Sequence, residues 1–188
     1  MEALLTSFVA AFLAEWGDKT QWLVVALAAR FARPVPVLAG VAVAALANAL
    51  IASAGGIIVH DLIVARAAAL LLALALLFVG GGGLFRAKEP NMGATWRTGP
   101  FLTAAGCFFL LEFGDKTQFT AFALATYYDS LALTAAGASA GVIAASLPAI
   151  LLARDLPRLL PLRGIRVAIA ALFLLAGLVV AVGALRLA

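Results

Sequence analysis

Six apolar segments make up most of this 188-residue chain, and they constrain its fold more than any other feature. Each is long enough to cross a bilayer as a helix, which takes about 20 apolar residues. Hydrophobic residues form 65% of the sequence, above the roughly one half that is usual in soluble domains. The chain is therefore expected to be an all-α, multi-pass membrane protein. The expected spans cover about residues 4–29, 35–59, 67–85, 100–127, 131–153 and 164–186.

Basic residues in the links between these spans, or near the ends of the spans, lie mostly on one side of the membrane. That side carries Arg30, Arg33, Arg86, Lys88, Arg97, Arg154, Arg158, Arg163 and Arg166, and the other side carries only Arg66 and Arg186. Because cytoplasmic loops are enriched in Lys and Arg, both termini are expected outside the cytoplasm. The net charge of +4 fits loops beside anionic lipid headgroups and gives no indication of a nucleic-acid partner.

Two nearly identical acidic motifs interrupt the apolar segments. Residues 12–22 read Phe-Leu-Ala-Glu-Trp-Gly-Asp-Lys-Thr-Gln-Trp and residues 109–119 read Phe-Leu-Leu-Glu-Phe-Gly-Asp-Lys-Thr-Gln-Phe. We call residues 15–21 the first cassette and residues 112–118 the second. Together they place four carboxylates and two ammonium groups at the depth of the hydrocarbon. An unpaired charge there costs roughly 2.5–3.5 kcal/mol, so six would cost on the order of 15–20 kcal/mol. Such a set is expected to hold something charged.

The cassettes belong to a repeat with an offset of 97 residues, which also relates Gly40 to Gly137. Each half holds three expected spans, so the second half must enter the membrane upside down relative to the first. This is the plan of many secondary transporters, whose sites lie near the midplane. The sequence thus predicts two inverted three-helix repeats, residues 1–85 and 100–188, joined by a cytoplasmic linker at 86–99.

The cassettes carry oxygen ligands that suit a hard divalent cation such as Mn²⁺, Ca²⁺ or Mg²⁺. Neither contains Cys or His, which argues against zinc, copper or nickel. On a continuous helix the acids and the lysine of each cassette share one face. The candidate metal ligands are Glu15, Asp18, Glu112, Asp115, Gln21 and Gln118, and Lys19 and Lys116 are interpreted as charge-balancing residues. Four carboxylates and two lysines leave two negative charges, which one divalent ion or proton uptake neutralises.

Other polar positions are weaker candidates. The residues considered as site-lining are Asn48, Thr20, Thr117 and Ser146, although a continuous helix turns both threonines largely away from the acids. Gly17 and Gly114 permit either a close helix crossing or a local break that exposes backbone carbonyls, and the sequence leaves this choice open.

Several other interpretations compete with a metal site. Glutamate and lysine four residues apart in each cassette can simply neutralise each other, but this leaves Asp18 and Asp115 unexplained. An acidic midplane site also suits a small organic cation, so an exporter of such solutes is an alternative. A channel is disfavoured because no segment of the sequence resembles the selectivity filter that several subunits of a channel form together. An enzyme is disfavoured because the sequence shows no Ser/His pairing, metal-binding His motif or cofactor loop.

The doubled Glu-x-Gly-Asp-Lys-Thr motif, at 15–20 and 112–117, resembles the signature of the manganese/calcium cation exchanger family, which includes MneA-type bacterial manganese exporters and Golgi relatives. The resemblance implies that the ion is bound by Glu15, Asp18, Glu112 and Asp115. It further implies export of Mn²⁺ from the cytoplasm in exchange for protons, with a Ca²⁺/H⁺ exchanger as the alternative. The compact chain is typical of bacterial members, so the cell inner membrane is the expected location. No cofactor is expected besides the transported ion, and the oligomeric state stays open.

Overall fold

The computed structural model describes residues 1–85, 96–152, 155–156 and 161–185. Within these ranges the chain forms eight α-helices and no β-strand, which confirms the predicted all-α class. The helices are α1 (Glu2–Ala14), α2 (Lys19–Phe31), α3 (Pro34–His60), α4 (Ala65–Leu84), α5 (Pro100–Glu112), α6 (Lys116–Tyr128), α7 (Leu131–Leu152) and α8 (Leu162–Leu185). Four of them, α3, α4, α7 and α8, are long and apolar enough to cross a membrane.

The other four helices are short, and they meet in pairs at the cassettes. The prediction of continuous helices over 4–29 and 100–127 was wrong, because each splits into two helices of 13 residues. Gly17 and Gly114 have backbone φ angles of +72° and +75°, a left-handed conformation that glycine adopts without steric cost. The acidic residues therefore lie at helix ends and not along one helical face.

Polar contacts identify the two ends of the helix bundle. One end is held together by Thr6 Oγ1 with the Tyr128 hydroxyl (3.2 Å), His60 Nδ1 with the Thr126 carbonyl (2.7 Å), and the Arg66 guanidinium with the Leu185 carbonyl (3.0 Å). The start of α1 and the end of α8 therefore lie at the same end. At the opposite end Arg30 donates to the carbonyl oxygen of Trp96 at 2.8 Å. Because α1 starts at the first end and α2 finishes at the second, the pair α1–α2 traverses the bundle once.

Part of the predicted loop pattern falls outside the described residues. This applies to positions 86–95 of the predicted linker and to Arg86, Lys88, Arg154, Arg158 and Arg186. The described cations Arg30 and Arg97 lie at the end opposite the start of α1 and the end of α8, because Arg97 directly follows Trp96.

Close helix crossings between the two halves have counterparts in which the equivalent residues of the opposite halves meet. A Cβ at Gly40 of α3 would lie 2.5 Å from the carbonyl oxygen of Phe101 in α5. A Cβ at Gly137 of α7 would meet the carbonyl oxygen of Leu4 in α1 in the same way. Gly40 and Gly137 differ by the repeat offset of 97 residues, and so do Leu4 and Phe101. The contact between α3 and α5 is thus the contact between α7 and α1 with the halves exchanged.

The crossing of α4 and α8 follows the same rule. A Cβ at Gly80 would lie 2.6 Å from Cγ of Leu174, and one at Gly177 would lie 2.8 Å from Cγ of Leu77. The two glycines, and likewise the two leucines, are one repeat offset apart. Small residues at these crossings let the helix backbones approach closely, as is usual in membrane bundles.

The glycine crossings predict the effect of adding one methyl group. Gly40→Ala and Gly137→Ala should each destabilise the protein by about 1–3 kcal/mol, because a Cβ overlaps backbone that cannot move freely. The measurement is the thermal unfolding midpoint of the purified protein in detergent. Gly81→Ala is the matched control, since no described atom lies within 4 Å of its added Cβ and alanine favours a helix by about 0.5–1 kcal/mol. Equal effects at Gly40 and Gly81 would contradict the packing described here.

Candidate functional site

The helix break in each cassette is closed by a glutamine side chain. The amide oxygen of Gln21 accepts a hydrogen bond from the Gly17 N–H at 2.9 Å, and that of Gln118 accepts one from the Gly114 N–H at 2.6 Å. A break leaves backbone N–H groups without helical partners, and burial makes such groups costly. Gln21 and Gln118 thus stabilise the breaks, and their amide oxygens, predicted as metal ligands, are engaged with the backbone in this structure.

Two ion pairs connect the cassettes to each other. Nζ of Lys19 lies 3.0 Å from Oδ1 of Asp115, and Nζ of Lys116 lies 2.5 Å from Oδ2 of Asp18. Each lysine therefore forms an ion pair with the aspartate of the opposite cassette. It does not pair with the glutamate four residues earlier in its own cassette. Reciprocal pairs of this kind require the two cassettes to face each other across the bundle. The structure thus brings the two halves of the predicted site together.

The Glu15 carboxylate is hydrogen-bonded to the threonine of each cassette. Its two carboxylate oxygens accept hydrogen bonds from the hydroxyls of Thr20 and Thr117, the latter at 2.8 Å. All three residues are buried. The expectation that the threonines point away from the acids was wrong, because the break reorients α2 and α6 relative to the glutamates. The Thr117 bond also joins the two halves directly.

Glu112 has a different environment from its repeat partner Glu15. It is 3% exposed, and neither carboxylate oxygen has a hydrogen-bond partner among the described residues. It borders a narrow cavity that is also lined by Asn48, Thr117 and Gln118. A buried carboxylate without a donor is costly, so this oxygen pair is an open acceptor for a cation or a proton.

The remaining site-lining candidates differ in their relation to the cassettes. Asn48 of α3 accepts a hydrogen bond from Nε2 of Gln118 at its Oδ1 (3.3 Å) and donates to the Phe109 carbonyl (3.3 Å). It therefore supports the second cassette through the glutamine. Ser146 instead donates to the Val142 carbonyl within α7 at 2.9 Å, which uses its hydroxyl proton inside its own helix.

The two helix breaks also differ in exposure. A Cβ at Gly17 would lie 3.0 Å from the Leu162 carbonyl oxygen and 3.1 Å from Cβ of Arg166, so the start of α8 covers the first break. At Gly114 no described atom comes within 4 Å of such a Cβ. This second break borders an open cavity of about 670 Å³ that Asp115, Phe119 and Phe122 also line. One cassette is thus covered and the other is accessible.

The donor set is all oxygen, which fits a hard divalent cation, but three of the four carboxylates already have other partners. In the part of the chain that the structure describes, no three His, Cys, Asp or Glu side chains are grouped closely enough to hold a metal ion. The aspartates are paired with lysines and Glu15 with hydroxyls. A cation that enters between the cassettes therefore has to compete with these internal partners.

Comparison with known proteins assigns the chain to a family. Residues 3–91 and 100–187, each stretch with one cassette, match the family described as "Divalent cation/proton antiporter GDT1". The chain belongs to this family. It is 35% identical over 182 residues to a protein of Vibrio cholerae named "Putative manganese exporter". The aligned region covers 96% of this chain and 91% of that relative. No solved structure matches the chain.

Family membership confirms the resemblance that the doubled motif indicated. Together with the apolar helices it identifies a multi-pass transmembrane cation antiporter. The family is one of transporters, which is consistent with the expectation that the chain is not an enzyme. The threonines are the cassette residues whose position sequence reasoning missed. Their place directly after Asp-Lys, at the start of a helix that follows a break, is the signal that would have located them.

The bond between Thr117 and Glu15 predicts a selective loss of stability. Thr117→Val should destabilise the protein by about 1.5–3 kcal/mol, because a hydrogen bond to a buried carboxylate is lost. Thr120→Val is the matched control, since the Thr120 hydroxyl only donates to the Lys116 carbonyl within α6. Its effect should stay below about 1 kcal/mol. Thermal unfolding of both purified variants measures the difference, and equal midpoints would argue against the bond.

Proposed function

We propose that this protein exports Mn²⁺ from the cytoplasm in exchange for protons, by alternating access around the two facing cassettes. The observation that carries the proposal is the reciprocal pairing of Lys19 with Asp115 and of Lys116 with Asp18. It joins acids from both halves at the centre of the bundle. The family description supports a divalent cation and protons, and the name of the Vibrio relative supports manganese.

The proposed ligands of the transported ion are Glu15, Asp18, Glu112 and Asp115. Their four negative charges and the two lysine charges leave a net charge of −2, so one divalent ion brings the site to neutrality. When the ion departs, two negative charges in a low dielectric favour uptake of protons. These protons belong to the coupled cluster and not to one residue. Gln21 and Gln118 are proposed as supporting residues that ligate only when their bonds to the glycine N–H groups open.

The recurring helix contacts support an inverted repeat. Contacts that recur with the halves exchanged are the pattern that a two-fold axis between the halves produces. We infer six membrane crossings, in which α1–α2 and α5–α6 each form one broken crossing. The termini share one end of the bundle and the described basic residues Arg30 and Arg97 lie at the other. The positive-inside rule then assigns the termini to the outside of the cell inner membrane.

The unequal exposure of the breaks supports alternating access. The first break is covered by the start of α8, and the second opens into the large cavity. Phe122 and Ile51, which line that cavity, lie beyond the cassette level toward the end that holds the termini. Exchange of the two environments between the repeats would open the first cassette toward the opposite end, which is how inverted-repeat transporters commonly work.

Removing one central acid should abolish export. Asp18→Asn and Asp115→Asn each delete a proposed ligand and leave the opposing lysine without its counter-charge. Cells that depend on this protein for manganese tolerance should lose that tolerance while the variants remain in the membrane at normal levels. Asp129→Asn is the control, because that exposed acid lies at the terminal end of the bundle and should leave tolerance unchanged. Full tolerance with either central variant would remove the basis of the proposed site.

Purified protein in liposomes should distinguish the ion and the coupling. An imposed pH gradient should drive Mn²⁺ uphill, and the flux should stop when a protonophore collapses the gradient. Preference for Ca²⁺ under the same conditions would favour a Ca²⁺/H⁺ exchanger. Competition by free lysine would favour a small organic-cation exporter. Mn²⁺ flux that does not depend on the pH gradient would contradict proton exchange.

A further inference from the structure

The lysine ammonium groups lie where a transported cation would have to bind. The Nζ–Oδ distances of 2.5 Å and 3.0 Å are those of direct charge-assisted contacts with no room for an intervening ion. Divalent ions contact carboxylate oxygens at about 2.0–2.6 Å, so an ion on the same carboxylate would lie close to the ammonium and would be repelled by its positive charge. The side chains of Lys116 and Asp18 are only 10% and 12% exposed, so little water screens their attraction.

Charge balance alone does not explain this arrangement. A lysine that only balanced charge could pair with the glutamate four residues earlier in its own cassette, which leaves the aspartates free. Each lysine instead reaches across to the other half. Glu112, four residues before Lys116, is buried and has no hydrogen-bond partner among the described residues. A displaced Lys116 therefore has an acceptor within its own cassette.

We infer that Lys19 and Lys116 are tethered competitors of the transported ion. Each ammonium is paired with the aspartate of the opposite cassette and opposes the binding of a second cation to that carboxylate. The inference rests on the proposed function of the cassettes. A tethered competitor acts at a high effective concentration, because its backbone keeps it beside the site. The lysines thus weaken ion binding and help to expel the bound ion on the side of release.

If the lysines compete with the ion, removing one of them should strengthen Mn²⁺ binding, whereas removing part of a structural ion pair should weaken it. Lys116→Gln should bind Mn²⁺ more tightly than the unchanged protein, with a dissociation constant lower by about tenfold or more, because the competing charge is gone. Proton-driven Mn²⁺ flux in liposomes should fall, because release is no longer assisted. Lys116→Arg keeps the charge and should keep a dissociation constant within about threefold of the unchanged protein.

The experiment uses the full-length purified protein and measures free Mn²⁺ by electron paramagnetic resonance during titration. Arg66→Gln, which alters a cation at the terminal end of the bundle, is the control and should leave the dissociation constant unchanged. Lys19→Gln provides a second test at a more exposed position, in case Lys116→Gln fails to fold. For a folded glutamine variant, an unchanged or raised dissociation constant overturns the inference. Absence of Mn²⁺ binding by the unchanged protein would instead overturn the proposed function.

Discussion

The structure depends on accommodating six charged groups inside a helical bundle with a largely apolar surface. Two features stabilise them: the crossed lysine–aspartate pairs, which involve four of the six groups, and the orientation of the broken helices. Asp18 and Asp115 lie at the N-termini of α2 and α6, where the helix dipoles favour a negative charge. Glu15 and Glu112 lie at the C-terminal ends of α1 and α5, where the dipoles favour a cation nearby. The breaks therefore stabilise the aspartates and prepare the space beside the glutamates for positive charge, as in other transporters with discontinuous helices.

Helix packing and site chemistry are linked through glycine. The left-handed Gly17 and Gly114 create the breaks, and the glutamines four residues later satisfy their N–H groups. The glycines at helix crossings, such as Gly40 and Gly137, let α3 and α7 approach the short helices closely. These crossings hold the two halves close together, and the lysine–aspartate pairs join the same two halves at the cassettes. The helix packing and the ion pairs thus act on one interface between the halves.

The sequence predicted the all-α class and the family, but not the local geometry of the cassettes. Apolar length indicates a membrane helix whatever its neighbours are, and a doubled motif is visible without any structure. The face shared by Glu15, Asp18 and Lys19 was derived from a period of 3.6 residues, which holds only in an unbroken helix. A Gly-Asp pair is compatible with either a helix or a break, so the periodicity could not decide. The partner of each lysine depends on how two distant segments meet, and composition carries no information about that. Glutamine four residues after each glycine was the available signal of a capped break.

The two near-identical cassettes lie in unlike environments, and the alternating access proposed above would exchange these environments between the halves. If the halves were identical in sequence, exchanging their environments would cost no free energy, and the two arrangements would be equally populated. The halves differ where they touch the cassettes, since Asn48 supports Gln118 while its repeat equivalent is Ala145. Arg166, which covers the first break, likewise corresponds to Ala69. Asn48 and Arg166 therefore make contacts that the alanines at the equivalent positions of the other half cannot make. In the proposed mechanism, an ion can shift the balance between two arrangements only through unequal affinity for them, and such differences between the halves would then decide which arrangement the ion-free protein favours.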